Sequence, residues 1–107
     1  MSEPKLVRDR IPEIIDANRG VAQIRIAEAA EIPGLLRAKL LEEAEEVTAA
    51  TDKRTLVEEL ADLLEVIHAY AACSGVGMPE IDEARQAKQA TRGGFGKGVV
   101  LISSTSS

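Results

Sequence analysis

Glu42-Glu43-Ala44-Glu45-Glu46, a gap of twelve residues, then Glu59-Leu60-Ala61-Asp62 is the stretch that decides how this 107-residue chain is read. Both segments carry helical patterning. In each, a carboxylate pair, Glu43/Glu46 and Glu59/Asp62, stands three residues apart and so shares one helix face. Residues 51–54 between the helices form a tight polar connection, which makes the pair an antiparallel hairpin. The numbers of Glu46 and Glu59 have the same sum as those of Glu43 and Asp62, the condition for lying at matched heights on antiparallel helices. Four carboxylates then converge on one small volume.

Such a cluster is costly by itself. Two unit charges about 5 Å apart repel by roughly 3 kcal/mol at an effective dielectric near 20, against a total stability of about 5–15 kcal/mol for a typical domain. A divalent cation turns the repulsion into attraction, and oxygen-only ligands favour a hard ion, Mg2+ first and Mn2+ next. The competing reading is a pair of solvated acidic helix faces. Helical phase separates the two. At about 100° per residue, Leu36, Leu40 and Val47 define the apolar face of the first helix, and Glu43 falls within about 40° of it. On the second helix Leu56, Leu60, Leu63, Ile67 and Tyr70 define the face. Glu59 falls between Val66 and Tyr70, and Asp62 just beyond Val66. Glu42, Glu45, Glu58 and Glu65 point outward.

Around this hairpin the pattern predicts a helix over residues 12–18 opened by Pro12 and stopped at Arg19-Gly20. Residues 21–26 alternate and are expected to be extended, as a short edge strand. A turn of helix over 28–31 precedes Pro33-Gly34. The long helices are expected over 35–50 and from Thr55, with its capping-box spacing, or from Asp52, to Cys73. A third runs from Pro79 to Thr91, then a glycine-rich loop over 92–98, an extended segment over 99–102 and a disordered tail over 103–107. The chain reads as one domain, 1–107, all-α, with short extended segments at the flanks.

Composition narrows the function. Tyr70 and Phe95 are the aromatic residues, so Ala, Leu, Ile and Val fill the interior, and three main helices make a thin core. The bundle is therefore expected to be completed by a homodimer or a higher homo-oligomer. A net charge of -5 argues against a nucleic-acid polymer as partner. The single cysteine, Cys73, excludes an intramolecular disulfide, reads as a helix-end packing residue and fits a reducing cytoplasm. No apolar run approaches a membrane span, and no signal-peptide pattern opens the chain.

Other candidates carry two readings each. Lys39, four residues before Glu43, either meets a substrate phosphate, holds a carboxylate in place or forms an ordinary surface pair. Glu65-Val66-Ile67-His68 has the Glu-x-x-His form of di-iron bundles, but those need a second copy and this chain has one histidine. In the 92–98 loop, Arg92 and Lys97 could contact phosphates and Phe95 stack on a base; the alternative is a connector whose Phe plugs the core. It is no Walker loop, since no Gly-Lys-Ser/Thr ends it. Arg8, within Arg8-Asp9-Arg10, is either a phosphate contact or part of a surface ion-pair cluster.

With these residues in view, Glu42-Glu43-x-x-Glu46 and Glu59-x-x-Asp62 resemble the metal motif of the all-alpha, MazG-like nucleoside triphosphate pyrophosphohydrolases. Lys5-Leu6-Val7-Arg8-Asp9-Arg10-Ile11-Pro12 and Arg92-Gly93-Gly94-Phe95 resemble the flanks of the phosphoribosyl-ATP pyrophosphohydrolase-like branch. The resemblance covers about residues 5–102. It implies a helical-bundle enzyme that uses Mg2+ to cleave a nucleoside triphosphate between the alpha and beta phosphates, releasing monophosphate and pyrophosphate. It implies Glu43, Glu46, Glu59 and Asp62 as metal ligands and Glu42 as a base, with either house-cleaning of unusual nucleotides or phosphoribosyl-ATP-like substrates. Lys39, Arg92 or Lys97 would steady the leaving pyrophosphate. The alternative is a non-catalytic dimeric helical module of the same fold, which has no need of four inward carboxylates at matched height.

Overall fold

The computed structural model describes residues 4–105. They hold four α-helices and a 3-10 turn, and no strand. In chain order these are α1 (Ile11–Ala17), the turn Ala29–Glu31, α2 (Ile32–Ala49), α3 (Lys53–Cys73) and α4 (Met78–Arg92). The chain divides into two compact units between Val76 and Gly77. The first holds α1 to α3, and the second holds α4 and the glycine-rich segment.

In the first unit α2 and α3 pack along one another as the expected antiparallel hairpin. Asp52 sets the start of α3: its Oδ1 accepts the Thr55 backbone N–H at 2.8 Å and its Oδ2 the Thr55 hydroxyl at 3.1 Å. These bonds, the backbone one foremost, hold the Asp52 carboxyl below the usual range. Asp52 is thus the N-cap, and Thr55 is the residue it binds. α2 starts three residues earlier than the 35–50 expectation, with Pro33 and Gly34 in its first turn. The Pro33 nitrogen falls where a helix has no carbonyl to receive a donor, so the break becomes a start. Pro12 and Pro79 open α1 and α4 in the same way.

Residues 21–26 form no strand. With no partner strand to take its N–H and C=O groups, the period-2 alternation has nothing to specify, and Val21 and Ile26 stay exposed. The segment is anchored at its end instead: Arg25 makes a fork of 2.8 and 2.7 Å to the Glu31 carboxylate, which also accepts the Glu28 backbone N–H at 2.8 Å. The Arg25 guanidinium, with that N–H, holds the Glu31 carboxyl down at about 2. Residues 99–105 are likewise exposed and without regular structure; Ser106 and Ser107 of the expected tail lie outside the described residues.

α1 and α3 end alike. At α3 the Val76 N–H reaches Ala71 O at 2.9 Å and the Gly75 N–H reaches Ala72 O at 3.2 Å, with Gly75 left-handed at φ 72°. At α1 the Gly20 N–H reaches Ile15 O at 2.8 Å and the Arg19 N–H reaches Asp16 O at 3.1 Å, but the left-handed residue is Arg19, at φ 63°. A left-handed L-residue costs about 1–2 kcal/mol, offset in part by the greater chain entropy a glycine would lose. Arg19→Gly is therefore expected to raise stability by about 0.5–1 kcal/mol in urea unfolding. Gly20→Ala should do the reverse, because its Cβ would sit 2.7 Å from Ile15 Cγ2.

The core is as thin as composition implied. The buried apolar residues are Leu36, Val66 and Ala71. Leu63, Ile67 and Tyr70 are half-buried, whereas Leu56 and Leu60, assigned to the same face, are 38% and 46% exposed. In the second unit Phe95 is wholly exposed and so plugs no core.

Candidate metal centre

Glu43 is the one buried charged residue among those described, 8% exposed in the middle of α2. Burying a carboxylate is tolerated only where something offsets its charge. Across the hairpin, α3 brings Glu59 and Asp62, both half-buried. One carboxylate oxygen from each of Glu43, Glu59 and Asp62 lies within 4.8 Å of the others. Two helices thus deliver to one point three of the four carboxylates expected there, Glu46 being the exception.

The electrostatics record both burial and the crowding of acids at this point. The Glu59 carboxyl is pushed above its ordinary value, first by loss of contact with water and then by the charges of Glu46, Asp62, Glu43 and Glu58. Three cations border the cluster. Lys39 Nζ lies 3.4 Å from Glu43 and 3.6 Å from Glu42, with its side chain 17% exposed. Arg8 donates to Asp62 Oδ1 at 2.8 Å, and Lys5 to Glu42 at 3.5 Å. A cavity of about 800 Å3 opens beside them, walled by residues 5–9 on one side and by Lys39, Glu43, Asp62 and Val66 on the other. Its volume is in the range that holds a small organic ligand.

A family model described as phosphoribosyl-ATP pyrophosphohydrolase matches residues 9–89. The chain is a member of the phosphoribosyl-ATP pyrophosphohydrolase family. No curated protein and no solved structure shows a significant match. Family membership supports the general enzyme class, a pyrophosphohydrolase, and the helical fold agrees with it. The matched span contains α2, α3 and all three converging acids, while Lys5, Arg8 and the residues beyond 89 lie outside it.

The donor set fits a metal ion. Glu43, Glu59 and Asp62 offer oxygen alone, the choice of a hard divalent cation. Glu46 stands apart from the trio: it is exposed, although its charge is the largest of those acting on Glu59. Glu45, Glu58 and Glu65 are exposed, as their helical phase predicts, and so is His68, which takes no part in the cluster. Glu42 turns further inward than its phase suggested and is half-buried against Lys39 and Lys5. Cys73 is exposed at the end of α3, its Sγ 3.3 Å from Tyr70 O. In the second unit Arg92 closes α4, Gly93 follows at φ 83°, and Arg92 and Lys97 are exposed. Sequence reasoning missed Lys5 as a neighbour of the acids. The segment that carries it has no helical period to assign a face, and opposite charge was the one available signal.

Among the described residues, no helix is long and apolar enough to cross a membrane.

Proposed function

We propose that this protein is a Mg2+-dependent nucleotide pyrophosphohydrolase. It cleaves a nucleoside triphosphate, or a phosphoribosyl-ATP-like nucleotide, between the alpha and beta phosphates to give a monophosphate and pyrophosphate. The observation that carries this reading is the meeting of Glu43, Glu59 and Asp62 within 4.8 Å, inside the span matched to the family. Glu43, Glu59 and Asp62 hold Mg2+, or Mn2+ in its place, and Glu46 supplies the fourth carboxylate. When bound, the ion offsets the charge on the phosphate oxygens and on the transition state. Glu42, held between Lys39 and Lys5, accepts the proton of the attacking water. Lys39 and Arg8 meet phosphate oxygens from the wall of the cavity beside the acids.

The reading places the enzyme in the cytoplasm beside its nucleotides, with neither a nucleic-acid polymer nor a membrane as partner. It also makes the protein a dimer or a higher assembly. Leu56, Val57, Leu60 and Leu64 leave a run of apolar surface along α3, 38–58% exposed, and burial of such a run is worth about 25 cal/mol per Å2. Light scattering at micromolar concentration should give at least twice the 11.4 kDa chain mass; a cooperatively folding monomer would rule assembly out.

The function is tested by pyrophosphate release across a panel of canonical triphosphates, modified triphosphates and phosphoribosyl-ATP, with and without Mg2+. Metal-dependent release from at least one member is expected. Metal binding with no release from any would favour the non-catalytic module.

A further inference from the structure

The segment over residues 5–10 has no helix and no strand, yet it lies across the hairpin at the acidic cluster. Two ion pairs tie it there: Arg8 Nη2 to Asp62 Oδ1 at 2.8 Å, and Lys5 Nζ to Glu42 Oε1 at 3.5 Å. Both are half-open to water, with 57% of each cationic side chain exposed. Of these residues' backbone donors and acceptors, Arg8 O receives the Ile11 N–H and Arg10 O the Ile14 N–H, which ties them to α1. Exposed pairs of this kind are weak. The same residues wall the 800 Å3 cavity next to Glu43 and Asp62.

We propose that Arg8 is a resident counter-cation of the cluster, displaced from Asp62 when a divalent ion arrives, and that its freed guanidinium then binds the phosphate of the substrate. The inference rests on the functional reading above and assigns Arg8 two successive partners. The first step follows from charge. Three acids meet within 4.8 Å, and Arg8 is bonded to one of them. A divalent ion at that point competes for the Asp62 oxygens and repels the guanidinium beside it. The second step follows from position and chemistry. The displaced group remains tethered at the rim of the cavity, on a short segment fixed to α1 at Ile11. The anion entering there is a phosphate, for which a guanidinium offers a charged fork of N–H donors. The exchange leaves both former partners paired: Asp62 with metal, and Arg8 with phosphate.

The two steps give Arg8→Gln opposite effects on two ligands, a signature that a merely structural role would not produce. Calorimetry with Mg2+ alone, on chelated protein free of nucleotide, should show the variant binding metal about two- to fivefold more tightly than wild type, since a competing ion pair worth up to about fivefold is gone. With Mg2+ saturating, inorganic pyrophosphate should bind the variant about tenfold more weakly. Arg8→Lys should restore the competition for metal and only part of the pyrophosphate affinity, because an ammonium lacks the fork. Weaker or unchanged Mg2+ binding by Arg8→Gln would overturn the proposal while leaving the metal centre in place, as would unchanged pyrophosphate affinity. Absence of Mg2+ binding by wild type would remove the metal centre itself, and this inference with it.

Discussion

Glu59→Gln abolishes turnover, by at least about 100-fold, while the metal-free protein stays as stable as wild type or becomes more so. The amide keeps the shape of the side chain and loses the charge that holds the ion; loss of even a supporting contact to a metal ligand commonly costs 10–100-fold. Stability moves the other way because the Glu59 carboxyl is raised above its ordinary 4.5, by lost water contact and then by its acidic neighbours. The native state therefore binds the Glu59 proton more tightly than the unfolded chain does. Native stability from this group is fully present below the ordinary value and is lost as pH climbs through the window between 4.5 and the raised native value. Glutamine does not titrate. Urea unfolding in chelator should show the two proteins alike in acid and the variant ahead at neutral pH. Glu45→Gln, on the exposed side of α2, is the control and should change neither activity nor stability. Equal losses for the two variants would overturn the assignment of faces.

Adding Mg2+ to chelated protein raises the melting temperature by roughly 10–20 °C at metal concentrations a hundred times the dissociation constant. An ion that binds the native state alone contributes about 2.7 kcal/mol at that ratio, and a small domain shifts by about 4–8 °C per kcal/mol. Mn2+ should act likewise. Potassium at the same ionic strength should shift melting far less, since screening relieves repulsion without supplying ligand bonds. A melting curve unmoved by Mg2+ and Mn2+ up to millimolar concentration would show that the trio holds no ion.

The parts of the centre that were legible in the sequence are those governed by the helical period. Glu43, Glu59 and Asp62 could be placed because α2 and α3 are long and joined by a short connection, so angular phase and height follow from residue number alone. Glu43 interrupts an apolar stripe, and it is the buried acid. The same arithmetic put Leu56 and Leu60 inward, and there it failed, because phase assigns a face without saying whether this chain covers it. The Arg8 bond to Asp62 spans 54 residues and comes from a segment with no period, so no spacing rule could find it. Residues 21–26 show the opposite error: a genuine period, but no partner strand to make it structural. The choice at Pro33-Gly34 and between Asp52 and Thr55 turned on which backbone donors need a partner, a local question that hydrophobic pattern does not address.

Asp52 has a role beyond closing the first turn of α3. Glu59 lies seven residues after it, close to two full turns, so the cap acts as the origin from which the angles of Glu59 and Asp62 are counted. Residues inserted before Asp52 would lengthen a surface connection and leave those angles untouched. One residue removed between Asp52 and Glu59 would turn the remainder of α3 by about 100° against its cap, carrying Glu59 and Asp62 off the hairpin seam while sparing every carboxylate in the composition. Loop length ahead of the cap is thus uncoupled from the angle of these carboxylates, and the residue count behind it is not. An aspartate that touches neither metal nor substrate is the mark that separates the two regimes.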